Sequence, residues 1–451
     1  MINNNNDTIC ALSTANGEGA ISIIRISGDN TINICNNIIS KKIINQKSHS
    51  IHLATVKEKS EIIDEVLISL FRNPKSFTGE DVIEISCHGS IYIKNRILQL
   101  LIENGARLAN PGEFTLRAFI NGKIDLSQAE SIADLISSES KMAHQIAINH
   151  MKGGFSNDLK ILREQLVNFA SLIELELDFA EEDVEFANRE KFNDLLEKIE
   201  KKLIQLTESF KLGNVIKNGI SVAILGAPNV GKSTLLNTLV NEEKAIVSEI
   251  AGTTRDIIED TININGIQFR FIDTAGLRET NDKIEKIGIK KALEIANKAD
   301  IVIYLLDASN EIETQEKEIT DIIRRKEKLI IVVNKIDKKN YIKDKMIKKG
   351  YICISANNKD STKILKQEIL NEINSDISTN ETIISNIRHQ SELTKTLTEI
   401  LIIKDGINNY LSSDLLSINI KQALYHLGLI TGEISTDDLL GNIFKNFCIG
   451  K

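Results

Sequence analysis

Tryptophan is absent from this sequence of 451 residues, and proline occurs only three times. Aromatic residues make up 4% of the chain, so side chains on which single-stranded bases could stack are scarce. No stretch reaches the roughly 18 apolar residues of a membrane-spanning helix. Residues 1–7 also lack the basic start and apolar core of a signal peptide. We therefore expect a cytoplasmic protein that is not inserted into a membrane.

Cysteine is also rare: the five cysteines are scattered and include no C-x-x-C pair. This pattern argues against a disulfide framework or a structural zinc site and fits a reducing compartment. The chain has 55 basic and 63 acidic residues, a net charge of −8. That balance argues against coating nucleic acid through bulk charge, although a local basic surface remains compatible with it. The length suggests roughly two to four domains.

The hydrophobic pattern separates α/β segments from helical ones. Residues 1–120 mix short β-branched runs with helical spacing over 92–104. Residues 121–215 carry long helical stripes, and the pattern is helical again over 377–451. Between them, residues 216–376 alternate short apolar strands with helices, as in a largely parallel sheet. The predicted fold class is therefore α/β plus all-α, with the second α/β domain inserted into a helical domain formed from two chain segments.

Individual strands can be predicted in both α/β segments. Asn265-Gly266 lies between two alternating runs and predicts a two-residue hairpin, which adds one antiparallel strand to the second sheet. The predicted strands are 21–26, 66–71 and 82–86 in the first segment, and 221–225, 269–272, 301–306, 329–333 and 351–354 in the second.

Residues 226–233, Gly-Ala-Pro-Asn-Val-Gly-Lys-Ser, match a P-loop between a predicted strand and a predicted helix. Glycines in such a loop allow successive backbone N–H groups to point at phosphates. Lys232 is expected to bridge the β- and γ-phosphates, and the Ser233 hydroxyl to ligate Mg²⁺.

Three downstream motifs follow strands in the order expected of a GTPase. Residues 273–276, Asp-Thr-Ala-Gly, place Asp273 to reach Mg²⁺ through water and Gly276 to sense the γ-phosphate. Residues 334–337, Asn-Lys-Ile-Asp, end in a carboxylate that can accept two hydrogen bonds from guanine. Residues 355–356, Ser-Ala, offer a backbone donor to the guanine O6. Together they specify GTP rather than ATP.

The sequence is unusual at the position that often orients the attacking water. Leu277 follows the Asp-Thr-Ala-Gly motif where a Ras-like enzyme holds glutamine, and leucine cannot orient water. Residues 252–256, Gly-Thr-Thr-Arg-Asp, supply a second Mg²⁺-sensing side chain, Thr254. Arg255 can be considered as an arginine finger, although a solvated loop arginine is the favoured interpretation.

Longer stretches around these motifs resemble the tRNA-modification GTPase family MnmE (TrmE), of the TrmE-Era-EngA type. The resemblance covers the whole chain in register. The stretches that carry it are 226–233, 245–256, 273–279, 284–288, 434–441 and the terminal 448–451, Cys-Ile-Gly-Lys, together with 25–28, Arg-Ile-Ser-Gly, 76–81, Ser-Phe-Thr-Gly-Glu-Asp, 87–89, Cys-His-Gly, and 111–114, Pro-Gly-Glu-Phe.

The resemblance implies a folate-binding and dimerisation domain over 1–120 and a G domain over 216–376. It also implies a 5-formyltetrahydrofolate-type cofactor between the subunits of a homodimer. The residues that match its binding positions are Arg25, Glu84, Lys123 and Lys451. By the same resemblance, the tail reaches the folate site and Cys448 is a catalytic residue of the modification.

The resemblance and the motifs together imply the nucleotide and ion sites. Mg²⁺ ligands would be Ser233 and Thr254, Glu285 would help to position the attacking water, and Lys232 would act in catalysis. K⁺ ligands would be Asn229, Ser248, Ile250 and Thr253. The GTP-binding set comprises Asn229, Val230, Gly231, Lys232, Ser233, Thr234, Ser248, Glu249, Ile250, Ala251, Gly252, Thr253, Thr254, Asp273, Thr274, Ala275, Gly276, Asn334, Lys335, Asp337, Ser355 and Ala356.

The function implied is a potassium-activated GTPase that acts on tRNA. With an FAD-dependent partner of the MnmG (GidA) type, in a heterotetramer, it would add a carboxymethylaminomethyl-type group at C5 of the wobble uridine, with folate as one-carbon donor. Two alternatives remain: a ribosome-assembly GTPase of the Era or Der kind, and a GTP-switched scaffold. The first would be expected to carry a G-x-x-G module or a second P-loop, and neither occurs in the sequence.

Overall fold

The computed structural model describes residues 7–178, 189–244, 260–272, 294–318, 328–338, 342–374, 382–409, 411–445 and 447–450. Within these ranges, no helix is both long enough and apolar enough to cross a membrane. The chain divides into two compact units. The first comprises Met1–Ser137, Ala147–Ile204 and Ser391–Lys451, and the second comprises Ser138–Ile146 and Gln205–Gln390.

The first unit begins with a sheet that is antiparallel apart from one edge strand. Its order among the described residues is β3-β4-β5-β2-β1-β6, and only the β1–β6 pair is parallel. Its elements are β1 (Ile9–Leu12), β2 (Gly19–Ser27), α1 (Thr31–Ile38), β3 (Ser50–Glu58), β4 (Glu61–Phe71), β5 (Val82–Gly89), α2 (Ile91–Glu103), β6 (Arg107–Leu108) and α3 (Glu113–Ile120).

Side-chain alternation fixes which face of this sheet is buried. Ile24 and Ile26 of β2 are fully buried in the core cluster that also contains Ile97 of α2. Arg25, between the two isoleucines, therefore projects from the opposite face. The strands predicted at 21–26, 66–71 and 82–86 and the helix predicted at 92–104 are confirmed, whereas β1, β3 and β6 were not predicted.

The remaining helices of the helical segments lie on either side of the inserted sheet in the chain. They are α4 (Leu126–Ser137), α5 (Lys141–Met151), α6 (Gly154–Asp178) and α7 (Arg189–Asn218) before it, and α12 (Ile387–Asn408), α13 (Ser413–Thr431) and α14 (Asp437–Phe444) after it. The first unit contains α4, α6, α13 and α14, whereas α5, α7 and α12 are each divided between the two units. The stripe predicted on α6 is buried, as Leu159, Leu162 and Leu166 are each no more than 4% exposed. The amphipathic spacing therefore packs α6 into the helical core, where α13 is its main neighbour.

The second unit contains a mostly parallel sheet. Its order among the described residues is β12-β11-β10-β7-β9-β8, and only the β8–β9 pair is antiparallel. Its elements are β7 (Ile220–Gly226), α8 (Lys232–Lys244), β8 (Asp260–Ile264), β9 (Ile267–Phe271), β10 (Ile301–Asp307), α9 (Ile312–Glu318), β11 (Leu329–Asn334), a 3-10 turn (Ile336–Lys338), α10 (Lys343–Lys348), β12 (Ile352–Cys353) and α11 (Lys359–Asn374). The five strands predicted here are confirmed, the last being shorter than expected.

The Asn265-Gly266 hairpin is confirmed, and it contacts a preceding part of the chain. Both residues have positive φ, 52° and 82°, as a type I′ turn requires. The Met142 N–H donates to the Gly266 carbonyl oxygen over 3.1 Å, and Met142 packs against the core of this sheet. These contacts explain why Ser138–Ile146 belongs to the second unit rather than the first.

The second unit also holds the two chain segments that enter and leave it. A Cβ atom on Gly213 of α7 would lie 2.1 Å from the carbonyl oxygen of Ile384. The Ile384 N–H donates to the Ser209 hydroxyl over 3.1 Å. The absence of a side chain at Gly213 therefore permits the outgoing and returning segments to touch.

Candidate functional site

The loop between β7 and α8 has the backbone that the P-loop motif predicts. Gly226, Asn229 and Gly231 have φ angles of 145°, 60° and 102°. A Cβ atom at Gly226 would lie 2.5 Å from the Leu305 carbonyl oxygen, so no other residue fits there without displacement. Positive φ at three of six positions turns the chain sharply before α8, so that the helix N-terminus faces the concave side of the loop.

Lys232 lies at the start of α8, and its side chain turns back into this loop. Its ammonium group donates to the carbonyl oxygens of Gly226 and Ala227, each over 2.8 Å. Burial lowers the pKa of Lys232 below its usual value, because desolvation disfavours the charged form. The arrangement concentrates one positive charge where the loop would surround a phosphate group.

Asn334 connects the P-loop to the segment predicted to contact guanine. Its side-chain N–H donates to the Val230 carbonyl oxygen over 2.8 Å, and its side-chain oxygen accepts from the Ala356 N–H at 2.9 Å. A Cβ atom on Gly231 would lie 2.4 Å from the Asn334 Nδ2 atom. The buried amide thus holds three of the predicted motifs together and requires glycine at position 231.

Lys335 makes a second connection to the P-loop. Its ammonium group donates to the Asn229 carbonyl oxygen over 2.8 Å and pairs with the Asp307 carboxylate at 2.6 Å. Asp307 ends β10 and pairs in register with Asn334, which ends β11. The carboxyl ends of these parallel strands therefore bring the three polar residues to one edge of the sheet.

The residues predicted to contact guanine occupy the same edge. Asp337 is exposed in the 3-10 turn, and Ser355 is half-buried directly before Ala356. The Ile336 N–H donates to the Ile354 carbonyl oxygen over 3.2 Å, which places the two segments side by side. The Thr238 hydroxyl of α8 donates to the Ala356 carbonyl oxygen over 2.8 Å. Phosphate and base motifs are thus fixed to one another through α8, Asn334 and Lys335.

A separate group of polar side chains lies on the N-terminal sheet, around Arg25. Arg25 and Glu84 are cross-strand partners on β2 and β5. The Nε and Nη2 groups of Arg25 donate to the same Glu84 oxygen, Oε1, over 3.0 and 2.8 Å. The side chains are 17% and 25% exposed, so the pair is partly desolvated yet accessible to a ligand.

Two aromatic rings flank the Arg25 guanidinium. Its Cζ atom lies 5.4 Å from the centre of the Phe77 ring and 5.7 Å from that of Phe114. Both distances are within the range of a cation–π interaction. Phe114 is fully buried whereas Phe77 is 37% exposed, so one ring belongs to the core and the other borders solvent.

An ion-pair network fixes the segments that carry these rings. Arg117 on α3 pairs with Asp7, Glu80 and Glu113. Although burial raises the pKa of the Glu113 carboxyl group, hydrogen bonds from Arg107 outweigh it, so the pKa lies below its usual value. The network ties residues 76–81 and α3 together, and thereby fixes the rings beside Arg25.

Lys123 contacts the loop that carries Phe77. Its ammonium group donates to the Pro74 carbonyl oxygen over 2.9 Å, and its Cγ atom lies 3.3 Å from where a Gly79 Cβ atom would stand. The neighbouring Asn121 donates to the Thr78 carbonyl oxygen over 2.8 Å. Lys123 is exposed, so its charge borders the same loop from the solvent side.

The C-terminal tail lies against this group. The Gly450 carbonyl oxygen accepts hydrogen bonds from Arg25 Nη1 at 3.3 Å and from the Ser13 hydroxyl at 3.2 Å. The Gly112 N–H donates to the Cys448 carbonyl oxygen over 3.4 Å. Gly450 has a φ of 93°, and a Cβ atom there would lie 2.3 Å from the Leu12 carbonyl oxygen.

Cys448 differs from the other cysteines in exposure. All five thiols are free, and Cys448 alone among them is exposed. Burial raises the pKa of the Cys10 and Cys87 thiols to about 11 and that of Cys35 to about 12. A thiol reactive toward an external substrate is therefore best sought at Cys448.

Comparison with known proteins identifies a family. Residues 8–123 match the sequence profile "GTP-binding protein TrmE N-terminus", and residues 126–448 match "MnmE helical domain". The chain is 54% identical over 464 residues to the tRNA modification GTPase MnmE of Flavobacterium johnsoniae, covering 99% of this chain and 100% of that one. The MnmE proteins of Christiangramia forsetii and Bacteroides thetaiotaomicron are 52% identical over 471 residues (99% of both chains) and 48% identical over 466 residues (99% and 100%).

This chain belongs to the MnmE family. The resemblance recognised in the sequence motifs is confirmed, and GTP binding follows from the family. The matches to the N-terminal and helical segments favour the MnmE family over the Era or Der alternative.

Only some of the MnmE-type site residues can be located. The described residues of the GTP set, 229–234, 334–335, 337 and 355–356, lie at the carboxyl edge of the second sheet, and Arg25 and Glu84 lie beside the tail. The predicted site residues outside the described ranges are Ser248, Glu249, Ile250, Ala251, Gly252, Thr253, Thr254, Asp273, Thr274, Ala275, Gly276, Glu285 and Lys451, and so are Arg255 and Leu277.

Sequence reasoning missed several residues that contact the predicted site residues or the C-terminal tail. Asp307 carries a signal, because an acidic residue ends a fully apolar parallel strand. Phe77 and Phe114 lie within motifs that were recognised, but no spacing rule relates them to Arg25. Ser13 has no sequence signal at all, since its partner Gly450 is distant in the chain.

Proposed function

We propose that this GTPase, together with an FAD-dependent partner of the MnmG (GidA) type, adds a carboxymethylaminomethyl-type group at C5 of the wobble uridine of tRNA. GTP hydrolysis would drive domain movements, while the carbon chemistry would take place at the N-terminal sheet. A 5-formyltetrahydrofolate-type cofactor would supply the one-carbon unit there.

The observation that carries this proposal is the contact between Arg25 and the C-terminal tail. Arg25 bonds to Glu84 and to the Gly450 carbonyl oxygen, and Gly450 is two residues from the exposed Cys448. Residues proposed for folate binding and for the modification thus belong to a single local group. The left-handed conformation of Gly450 and its bonds to Ser13 and Arg25 hold the tail against the sheet of the first unit, as a role of the tail there would require.

The donor set on this sheet suits a folate. Glu84 carries a carboxylate that can pair with the N–H edge of a pterin, whereas Arg25 and Lys123 carry positive charges for its anionic glutamate tail. The Phe77 ring, partly exposed beside Arg25, adds an apolar face for a flat heterocycle. Lys451, the residue after Gly450, would complete the set.

In the nucleotide site, the chemistry of each side chain suggests its role. Lys232 would contact the β- and γ-phosphates, Ser233 and Thr254 would hold Mg²⁺, and Asp337 would select guanine. Glu285 would position the attacking water. A second cation, bound in addition to Mg²⁺, would supply positive charge to the phosphates.

Potassium is proposed as the substitute for an arginine finger. Asn229 offers a side-chain carbonyl, a hard oxygen ligand, and its backbone is fixed at positive φ. Ser248, Ile250 and Thr253 would supply the other ligands. There are two reasons for proposing K⁺: Leu277 cannot orient water in the way that glutamine does, and the sequence offers no convincing arginine finger. A positive charge is still needed to offset the charge that builds up on the phosphates in the transition state.

A homodimer is proposed on the strength of the exposed sheet face. Leu53 and Leu67 are cross-strand partners on β3 and β4, and they are 64% and 46% exposed. Ile51, two residues before Leu53, is 67% exposed on the same face. Adjacent apolar side chains in water mark a surface for association with protein.

The test is mass spectrometry of tRNA nucleosides from a deletion strain complemented with variants of the full chain. Wild type should restore the wobble modification, and Cys448→Ser should not, although it hydrolyses GTP at the wild-type rate. Restoration by a chain that binds GTP without hydrolysing it would favour the scaffold alternative. An unchanged nucleoside profile in the deletion strain would overturn the proposal.

A further inference from the structure

The carboxylate of Asp307 is enclosed by polar partners, although it belongs to none of the recognised nucleotide motifs. Asp307 is 8% exposed at the end of β10. Its Oδ1 atom accepts the Ser309 N–H at 2.8 Å, and its Oδ2 atom accepts the Lys335 ammonium at 2.6 Å. Gln315 bonds to its backbone N–H and to its carbonyl oxygen. Side chain and main chain are therefore both held in place.

We propose that Asp307 is a positioning residue for guanine-nucleotide binding, which acts through Lys335 on the P-loop. The ammonium group of Lys335 lies between the Asp307 carboxylate and the Asn229 carbonyl oxygen, at 2.6 and 2.8 Å. Lysine is a flexible four-carbon side chain that can adopt many rotamers. The fixed carboxylate selects the one in which the ammonium reaches the P-loop.

The bonds from Asn334 and Lys335 fix the distance between the P-loop and the predicted base-recognition turn. Asn334 and Lys335 are consecutive residues, and they bond to the consecutive P-loop carbonyls of Val230 and Asn229. One bond comes from a neutral amide, and the other from an ammonium group held by Asp307. Since Asp337 follows two residues later, these bonds set the base-recognition turn relative to the phosphate loop.

The charge of the pair is maintained at neutral pH. Burial raises the pKa of Asp307, but hydrogen bonds from Lys335 and Ser309 outweigh it, so the pKa lies below its usual value. The ion pair is therefore intact under the conditions of nucleotide binding. Because the P-loop and the base turn contact parts common to GTP and GDP, the loss of Asp307 should weaken both nucleotides alike.

The same strand supplies a matched control. Asp300 directly precedes β10, at the amino end of the strand, and its carboxylate accepts the Ser221 N–H and hydroxyl at 2.8 and 2.6 Å. Asp300→Asn removes one charge from the same sheet, at the edge opposite the nucleotide motifs. It should lower thermal stability without changing nucleotide dissociation.

The experiment measures the dissociation of fluorescent GDP and of a non-hydrolysable fluorescent GTP analogue from the full chain. We expect Asp307→Asn to accelerate both by about tenfold, as the loss of one charge-assisted bond implies. Lys335→Gln should have a similar effect, and the double variant should lie within about twofold of Lys335→Gln, because the two residues act as one unit.

Two results would overturn the inference: dissociation from Asp307→Asn within twofold of Asp300→Asn, or a double variant whose effect is the product of the single effects. If Asp307→Asn does not fold, Asp307→Ser replaces it under the same thresholds, since a hydroxyl can still accept the Ser309 N–H. The inference rests on the proposed GTP binding at the P-loop, and nucleotide binding by the wild-type protein is the separate test of that binding. Failure of wild type to bind would overturn the proposed function instead.

Discussion

The Arg25 guanidinium donates a hydrogen bond of 3.3 Å to the carbonyl oxygen of Gly450, which is 425 residues further along the chain. The same guanidinium is held by Glu84 across two neighbouring strands. The tail therefore binds to a side chain that is already fixed. We therefore expect small changes in the tail to test its role without disturbing the Arg25–Glu84 pair.

Gly450→Ala should detach the tail and abolish tRNA modification while GTP turnover stays within about twofold of wild type. A methyl group at this position would lie 2.3 Å from the Leu12 carbonyl oxygen, and alanine disfavours the φ of 93°. Gly441→Ala is the matched control, because a Cβ atom there meets nothing within 4 Å. Modification by nucleoside mass spectrometry and GTP turnover should be measured on the same preparations. Full modification by Gly450→Ala would show that tail docking is dispensable.

Asp337→Asn should weaken GTP binding at least tenfold and favour xanthine nucleotides. The amide presents a donor to the guanine N–H edge, and each lost charge-assisted bond is worth about 1.5–3 kcal/mol. Asp337 is exposed, so the change should leave the fold intact. Equilibrium titration with fluorescent GTP and XTP measures the switch, and Asp414→Asn, an exposed helical position, serves as control. Unchanged GTP affinity would remove Asp337 from base recognition.

GTP turnover should be stimulated by KCl and little by NaCl at equal ionic strength and saturating Mg²⁺. The difference should disappear in a variant that lacks the Asn229 side-chain carbonyl. Because Asn229 has a φ of 60°, Asn229→Gly removes the ligand without imposing the strain that alanine would add. Phosphate release at several salt concentrations provides the measurement. Equal rates in the two salts would exclude K⁺ from the mechanism and favour Arg255 as the source of positive charge.

Glu113→Gln should destabilise the N-terminal unit at neutral pH by about 2–3 kcal/mol, since its carboxylate accepts bonds from Arg107 and Arg117. A carboxyl group whose folded pKa is lowered stabilises the fold above its unfolded pKa, and that contribution is lost as pH falls through the folded pKa. The thermal midpoints of wild type and variant should therefore differ at pH 7 and converge as the pH falls below 4.5, the ordinary pKa of a glutamate. A difference independent of pH would assign the effect to packing.

Local patterns sufficed to predict the second sheet, because its strands are short apolar runs and its turn residues are diagnostic. Asn265-Gly266 specifies its hairpin by backbone preference alone. β3 escaped prediction because exposed Ile51 and Leu53 share the strand with buried Ala54 and Val56, which hides the alternation. The pairing of Arg25 with Glu84 depends on β2 lying next to β5, and no local pattern encodes that neighbourhood.

The candidate sites divide in the same way. The P-loop, with Lys232, was recognisable because a contiguous motif carries its chemistry. Asp307 and Ser13 act through partners remote in sequence, so their roles depend on topology. A motif therefore reveals the groups that touch a ligand better than the groups that hold them in place.

The contact between Gly213 and Ile384 makes the segment between them exchangeable in principle. Because the outgoing and returning segments meet at one point, the inserted segment that carries the nucleotide-binding sheet begins and ends at nearly the same place. Joining two such points takes only a short linker, and a short loop costs little closure entropy. We therefore expect that another domain whose ends lie close together can replace the inserted segment. Ser391–Lys451 would then still follow the preceding helices of the first unit along the chain.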